Sequence, residues 1–217
     1  MNNQQKLKLS ESGLKYLLYL PKEYSKEKKF PVLLFLHGAG ERGNDIEMVK
    51  KHGPPKLIEE GKDFPFIIIS PQCPRGLYWT PKPLNELINE VVYEYNGDEN
   101  RIYVTGISMG GYGTWTLATA YPDEFAAVAP ICGGGDSKLV NRIKKLPIWA
   151  FHGAKDDIVP IAESEAMVSE LKKLKGDIRF TVYEDADHDS WTRTYSNPEL
   201  YDWLLKHRRK QEPRKIF

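Results

Sequence analysis

Gly106-Ile107-Ser108-Met109-Gly110-Gly111 stands directly after the β-branched run Arg101-Ile102-Tyr103-Val104-Thr105 and directly before the helix-like stretch Tyr112 to Tyr121. Strand, G-x-S-x-G turn and helix in that order constrain the fold: so tight a turn exposes the serine hydroxyl only where its neighbours carry no colliding side chains. The helix N-terminus behind the serine favours negative charge developing beside it. Composition alone would write such a string in about one of twenty similar chains, so its weight comes from what flanks and follows it.

Strand-like and helix-like segments alternate along most of the chain, which predicts an α/β fold with a mainly parallel sheet covered on both faces. The expected strands are Val32 to Leu36, Phe66 to Ser70, Arg101 to Thr105, Ala126 to Ile131, Ile148 to His152 and Ile178 to Tyr183, short apolar runs of the kind buried in parallel sheets. Lys6 to Leu9 and Leu14 to Leu20 come before them with no helix between, predicting an antiparallel start. Leu84 to Tyr95, Ala162 to Leu174 and Asn197 to His207 have helical spacing, with Pro198 suited to a first turn. The stretch from Cys132 to Pro147 leaves no room for a cap after the sixth strand, so a site at the C-terminal strand ends is expected to be open.

At 217 residues with no Pro/Gly/Ser-rich linker, the chain reads as one domain over residues 1–217, large enough to need neither metal nor disulfide. Cys73 and Cys132 lie in apolar surroundings and read as buried, reduced thiols. The first residues lack the pattern of a secretory leader and no apolar stretch is long enough for a bilayer, so the expectation is a soluble, cytoplasmic protein without a membrane partner. Secretion stays open if a leader has been removed. A net charge of +1 argues against nucleic acid as a partner. The basic cluster Lys206, Arg208, Arg209, Lys210, Arg214 and Lys215 reads as a solvated helix end.

A serine nucleophile needs a base, and the base needs a carboxylate to fix its tautomer. Of the five histidines, His188 lies between the last strand and the last helix, where it can reach back over the sheet edge. His37 and His152 each end a strand before a glycine and read as structural; His52 and His207 read as surface residues. Asp156 or Asp157, after the strand at Ile148, can supply the carboxylate, with Asp156 favoured and Asp157 left as a turn or cap residue. Asp185, Asp187 and Asp189 read as loop-solvating. Two backbone N–H groups are needed for the oxyanion. Met109 offers one, and the loop His37-Gly38-Ala39-Gly40-Glu41-Arg42-Gly43 the other, from Ala39 with Gly40 as the alternative. That loop lacks the order of a phosphate cradle.

The order Ser108, Asp156, His188 with the Gly38-Ala39-Gly40 loop upstream resembles the α/β-hydrolase superfamily over nearly the whole chain. His37 to Gly43, Ser70-Pro71-Gln72-Cys73, the Ser108 turn and His152 to Pro160 are similar to the small cap-less esterases of the phospholipase/carboxylesterase and feruloyl or polyhydroxybutyrate-depolymerase-like group. The resemblance implies a three-layer sandwich without a cap domain. It also supports Asp156 over Asp157, because the group's carboxylate is fifth in a His-Gly-x-x-Asp segment. One departure is Asp187, where the group often has glycine; aspartate tolerates left-handed backbone better than most residues.

The activity implied is ester hydrolysis through an acyl-enzyme on Ser108, with His188 as general base and no metal or organic cofactor. Trp79 is expected to overhang the site and Trp191 lies three residues past His188; both are expected to bind substrate through their aromatic faces, with packing against neighbouring loops as the alternative. This tilts the expected substrate toward carbohydrate-linked or aromatic acyl esters of feruloyl or acetyl type, alongside general short-chain esters. Thioesterase, lysophospholipase, small serine peptidase and a non-catalytic binding module are the alternatives. Oligomeric state is left open.

Overall fold

A computed structural model describes residues 5–209. Eight strands form one sheet in the order β1-β2-β4-β3-β5-β6-β7-β8. They are β1 (Gln5–Leu9), β2 (Lys15–Tyr19), β3 (Phe30–Leu36), β4 (Ile67–Pro71), β5 (Gly97–Ile107), β6 (Ala127–Ile131), β7 (Ile148–Gly153) and β8 (Ile178–Tyr183). The pairs β1/β2 and β2/β4 are antiparallel and all others parallel, as the sequence pattern implies. The helices are α1 (Gly53–Glu59), α2 (Pro81–Glu94), α3 (Met109–Ala120), α4 (Ala162–Lys173), α5 (Trp191–Ser196) and α6 (Pro198–Lys206).

β3 and β6 are apolar at every position because both faces of the sheet are covered there. Val32, Leu34 and Leu36 of β3 join a core with Leu84, Leu87, Ile88 and Val91 of α2 and with Trp115 and Leu117 of α3. Leu33 and Phe35 face the opposite core, with Ile58 of α1, Tyr195 of α5 and Leu200 and Leu204 of α6. The result is the expected three-layer sandwich. Between β6 and β7 the chain makes only a 3-10 turn, Ser137–Ile143. No helix among the described residues is long and apolar enough to cross a membrane.

Two helices lie outside the stretches expected to be helical, and one local expectation changes. α1 opens on Gly53-Pro54-Pro55, and prolines suit a first helical turn, where the missing N–H costs nothing. α5 is only six residues long, too short to show a period. The basic C-terminal end is also more than a solvated helix end. Arg208 pairs with Asp98 at 3.2 Å, and the Arg209 guanidinium donates to the Asp123 carbonyl at 2.7 Å, so both fasten the chain back near β5. Lys210, Arg214 and Lys215 lie outside the described residues.

β3 lies between β4 and β5, so the chain changes direction across the sheet there, and a crevice opens beyond the strand ends where ligands of such sheets bind. The approach of α3 to these strands is very close. A Cβ on Gly110 would stand 2.5 Å from the Leu36 carbonyl carbon, and one on Gly106 2.6 Å from the Gly110 carbonyl carbon. His37, at the end of β3, fastens the neighbouring loops. Its Nδ1–H donates to the Gly38 carbonyl at 2.6 Å and its Nε2 accepts the Cys73 N–H at 2.9 Å. Burial lowers its pKa to about 4, against a small opposing effect of the Gly38 bond.

Two outcomes follow for stability. Gly110→Ala has no room without moving β3 or α3 and should lose about 3 kcal/mol or more in urea unfolding; a loss within 0.5 kcal/mol, roughly the surface-substitution range, would contradict that packing. Between pH 6.5 and 4 the unfolded chain binds a proton at His37 that the folded chain does not, so stability present above 6.5 is lost as pH falls. His37 should contribute about 2 kcal/mol to the decline between pH 7.5 and 5. His37→Gln should show a correspondingly shallower decline, and equal slopes would contradict the assignment.

Candidate active site

Ser108 joins β5 to α3 with φ 53° and ψ −117°, a conformation that costs a non-glycine residue about 1–3 kcal/mol. The surroundings over-determine it. Its N–H donates to the Ile131 carbonyl at 3.0 Å, its own carbonyl accepts the Tyr112 N–H at 3.1 Å, and Gly106 and Gly110 admit the close crossing. The side chain is left partly exposed at the start of α3.

Asp156 lies after β7 and His188 after β8, in loops that are tied together. Ala154 N–H donates to Tyr183 O and Lys155 N–H to Ala186 O, both at 2.9 Å. This brings the two side chains into register: His188 Nδ1 is 2.7 Å from Asp156 Oδ2, and His188 Nε2 is 3.0 Å from Ser108 Oγ. The carboxylate fixes the imidazole proton on Nδ1 and leaves Nε2 to accept from the serine hydroxyl. Asp157 is exposed and takes no part. Asp156 is held from its other side as well. Its Oδ1 accepts the N–H groups of Ile158 at 3.0 Å and Val159 at 2.8 Å, and its side chain is fully buried.

His152 holds loop backbone as expected, donating from Nε2 to the Val159 carbonyl at 2.9 Å. The same nitrogen is also 3.2 Å from Asp156 Oδ2, so two histidines share one carboxylate oxygen. Asp187 is not left-handed: its carboxylate accepts the Asp189 N–H at 3.0 Å, and it is absent from the positive-φ residues, so aspartate in place of glycine brings no backbone strain. Asp185 pairs with Arg193 at 2.9 Å, and Asp189 caps Thr192, consistent with loop roles.

Met109 begins α3, while Ala39 and Gly40 begin the 3-10 turn Ala39–Glu41, so none of their amides has an intrahelical acceptor. Arg42 braces this turn by donating from Nε to the Ala39 carbonyl at 3.0 Å and from Nη1 to the Leu77 carbonyl at 3.3 Å. Cys132 lies beneath the serine, with Sγ 3.3 Å from Ser108 N. Sγ of Cys132 groups with the ligand atoms of Asp156 and His188 within 4.8 Å. Burial pushes its thiol up to about 12, which keeps it protonated and makes it a poor metal ligand or rival nucleophile.

Of the two tryptophans, one meets the site and one does not. Trp191 is half-buried, packing edge-on to His188 at 5.1 Å and to His52 at 5.4 Å. Trp79 is turned inward, contrary to expectation. It is buried in the core, edge-on to His37 at 4.8 Å, with its indole N–H donating to the His37 carbonyl at 3.1 Å. The Gly76 to Thr80 loop instead exposes Leu77 and Tyr78, and Arg42 lies 5.5 Å over the Tyr78 ring. His52, read from sequence as a surface residue, accepts the Trp191 indole N–H on Nδ1 at 3.3 Å; no local signal foretells a contact across that many residues.

Residues 81–202, more than half of the chain, match the model of the dienelactone hydrolase family. The chain is 26% identical over 180 residues to a bifunctional acetylxylan esterase/xylanase of Neocallimastix patriciarum, a match covering 80% of this chain and 26% of that protein. Among solved structures it is similar to a thermostable esterase, with a TM-score of 0.82 and 35% identity over 94% of this chain and 63% of the other. A feruloyl esterase module from Clostridium thermocellum complexed with sinapinate shares the fold, with a TM-score of 0.70 and 18% identity over 98% of this chain and 90% of that one. The chain thus spans about a quarter of the xylan-related protein and under two thirds of the thermostable esterase. With an eight-stranded α/β-hydrolase sheet and a family match over most of its second half, the chain belongs to the dienelactone hydrolase family.

Proposed function

We propose that this chain is a serine carboxylic-ester hydrolase acting on short-chain, carbohydrate-linked or aromatic acyl esters. The observation that carries the reading is the continuous contact Asp156–His188–Ser108, at 2.7 and 3.0 Å, on a strained turn at the start of a helix. Ser108 Oγ attacks the ester carbonyl as its proton passes to His188 Nε2, and Asp156 stabilises the resulting imidazolium. The amides of Met109 and Ala39, with Gly40 as alternate donor, take the negative charge on the carbonyl oxygen. The imidazolium then protonates the departing alcohol, leaving the acyl group on Ser108. Water attacks this acyl-enzyme with His188 again as base, the acid leaves, and the serine regains its proton. The chain's own groups carry each of these steps.

The substrate class draws support from the half-buried Trp191 beside His188 and from the exposed Leu77 and Tyr78 near the Ala39 turn, which suit flat phenolic or sugar rings. The relatives named as acetylxylan and feruloyl esterases point the same way.

Steady-state kinetics on 4-nitrophenyl acetate and methyl ferulate test the assignment. Ser108→Ala and Asp156→Asn should each lower kcat by about 10^4-fold or more, whereas Asp157→Asn should stay near wild type. Full activity in Ser108→Ala would overturn the mechanism. Loss in Asp157→Asn with retention in Asp156→Asn would move the acid to the neighbouring residue.

A further inference from the structure

Glu41 is buried beside the site, yet the proposed reaction makes no use of it. It ends the 3-10 turn whose first amides are the proposed oxyanion donors, and its side chain is nine-tenths buried. A carboxylate taken out of water is costly unless hydrogen-bond donors replace the solvent. Among the described residues, the basic partner of this one is His52, whose Nε2 is 3.7 Å from Oε1, outside hydrogen-bond distance. The Glu41 carboxylate therefore keeps acceptor capacity that no hydrogen bond among the described residues fills.

Its setting is ordered from the catalytic side. The Trp191 indole N–H donates to His52 Nδ1, which puts the neutral imidazole's proton on Nε2, the nitrogen facing Glu41. Trp191 also packs against His188, so His188, Trp191, His52 and Glu41 form one continuous row along the rim. At the far end of the row the carboxylate comes back toward the nucleophile. The point that a Cβ on Gly38 would occupy is 3.2 Å from Glu41 Oε2 and 3.6 Å from Ser108 Cβ, and glycine puts no side chain between them.

We propose that Glu41 is a specificity residue whose carboxylate accepts a hydrogen bond from a substrate hydroxyl. That hydroxyl belongs to the alcohol half of the ester, on the carbon next to the one bearing the acyl group, as in esters of sugars and other polyols. The inference rests on the ester-hydrolase reading and narrows its substrate class.

The test compares trans-2-hydroxycyclohexyl acetate with trans-2-methoxycyclohexyl acetate, which keeps the ring and the oxygen but lacks the donor hydrogen. Acid release in a pH-stat gives kcat/KM for each. The wild type should favour the hydroxy ester by about tenfold, in the range expected for a hydrogen bond to a charged group. In Glu41→Met, which keeps length but removes the acceptor, the ratio should fall to near one, showing that the preference is not steric. Because the ratio is read within one protein, loss of folded enzyme cancels. Should the methionine variant fail to fold, Glu41→Gln, a weaker neutral acceptor, should still bring the ratio down to about threefold. A wild-type ratio near one, or an unchanged ratio in the variants, would overturn the inference while leaving the esterase reading intact if 4-nitrophenyl acetate is cleaved. A wild type inert toward all three esters would overturn both.

Discussion

The site depends on the contact of α3 with the ends of β3 and β5. Backbone meets backbone there, with no side chain at Gly106 or Gly110 to hold the layers apart. This closeness forces the chain to reverse within one residue, and Ser108 takes the left-handed backbone that results. The strain is local, and the hydrogen bond to Ile131 and the first turn of α3 hold it in place. A looser crossing would relax the turn and withdraw the hydroxyl. Packing in the core is therefore what holds the Ser108 side chain out toward the surface.

Asp156 is the electrostatic counterpart of that packing constraint. A buried carboxylate is tolerated here because backbone amides occupy one oxygen and imidazoles meet the other. The two histidines differ in what else they face. His152 is fully buried and spends its ring on Ser164 and Val159, whereas His188 keeps an edge toward Ser108 and solvent. On the proposed mechanism it is therefore His188 that moves the proton, while His152 holds the loop from which the carboxylate projects. Hydrogen bonds between the β7 and β8 loops keep the distance between acid and base fixed.

Features written in short windows of the chain are legible from its residues alone. The apolar runs of β3 to β8, the stripe on α2, the elbow around Ser108 and the order of the Asp156 and His188 loops all depend on residues close in the chain. The preference for Asp156 over Asp157 draws besides on the His-Gly-x-x-Asp spacing of the esterases that the sequence resembles. Long-range side-chain direction is not legible in this way. Trp79 and Tyr78 are adjacent and both aromatic, but only the fold decides that Trp79 turns under His37 while Tyr78 faces out. The row from His188 through Trp191 to His52 and Glu41 joins segments far apart in the chain. α1 and α5 escape because prolines disguise one start and brevity hides the other's period.

The central claim is that Ser108 is a nucleophile activated by His188. Its most direct measurement is reaction with a fluorophosphonate followed by mass spectrometry of the intact chain and its peptides, on wild type and His188→Ala. The expected product is a single phosphonate on Ser108, formed far more slowly when His188 is replaced. A protein that stays unlabelled, or that carries the label on another residue, would contradict it.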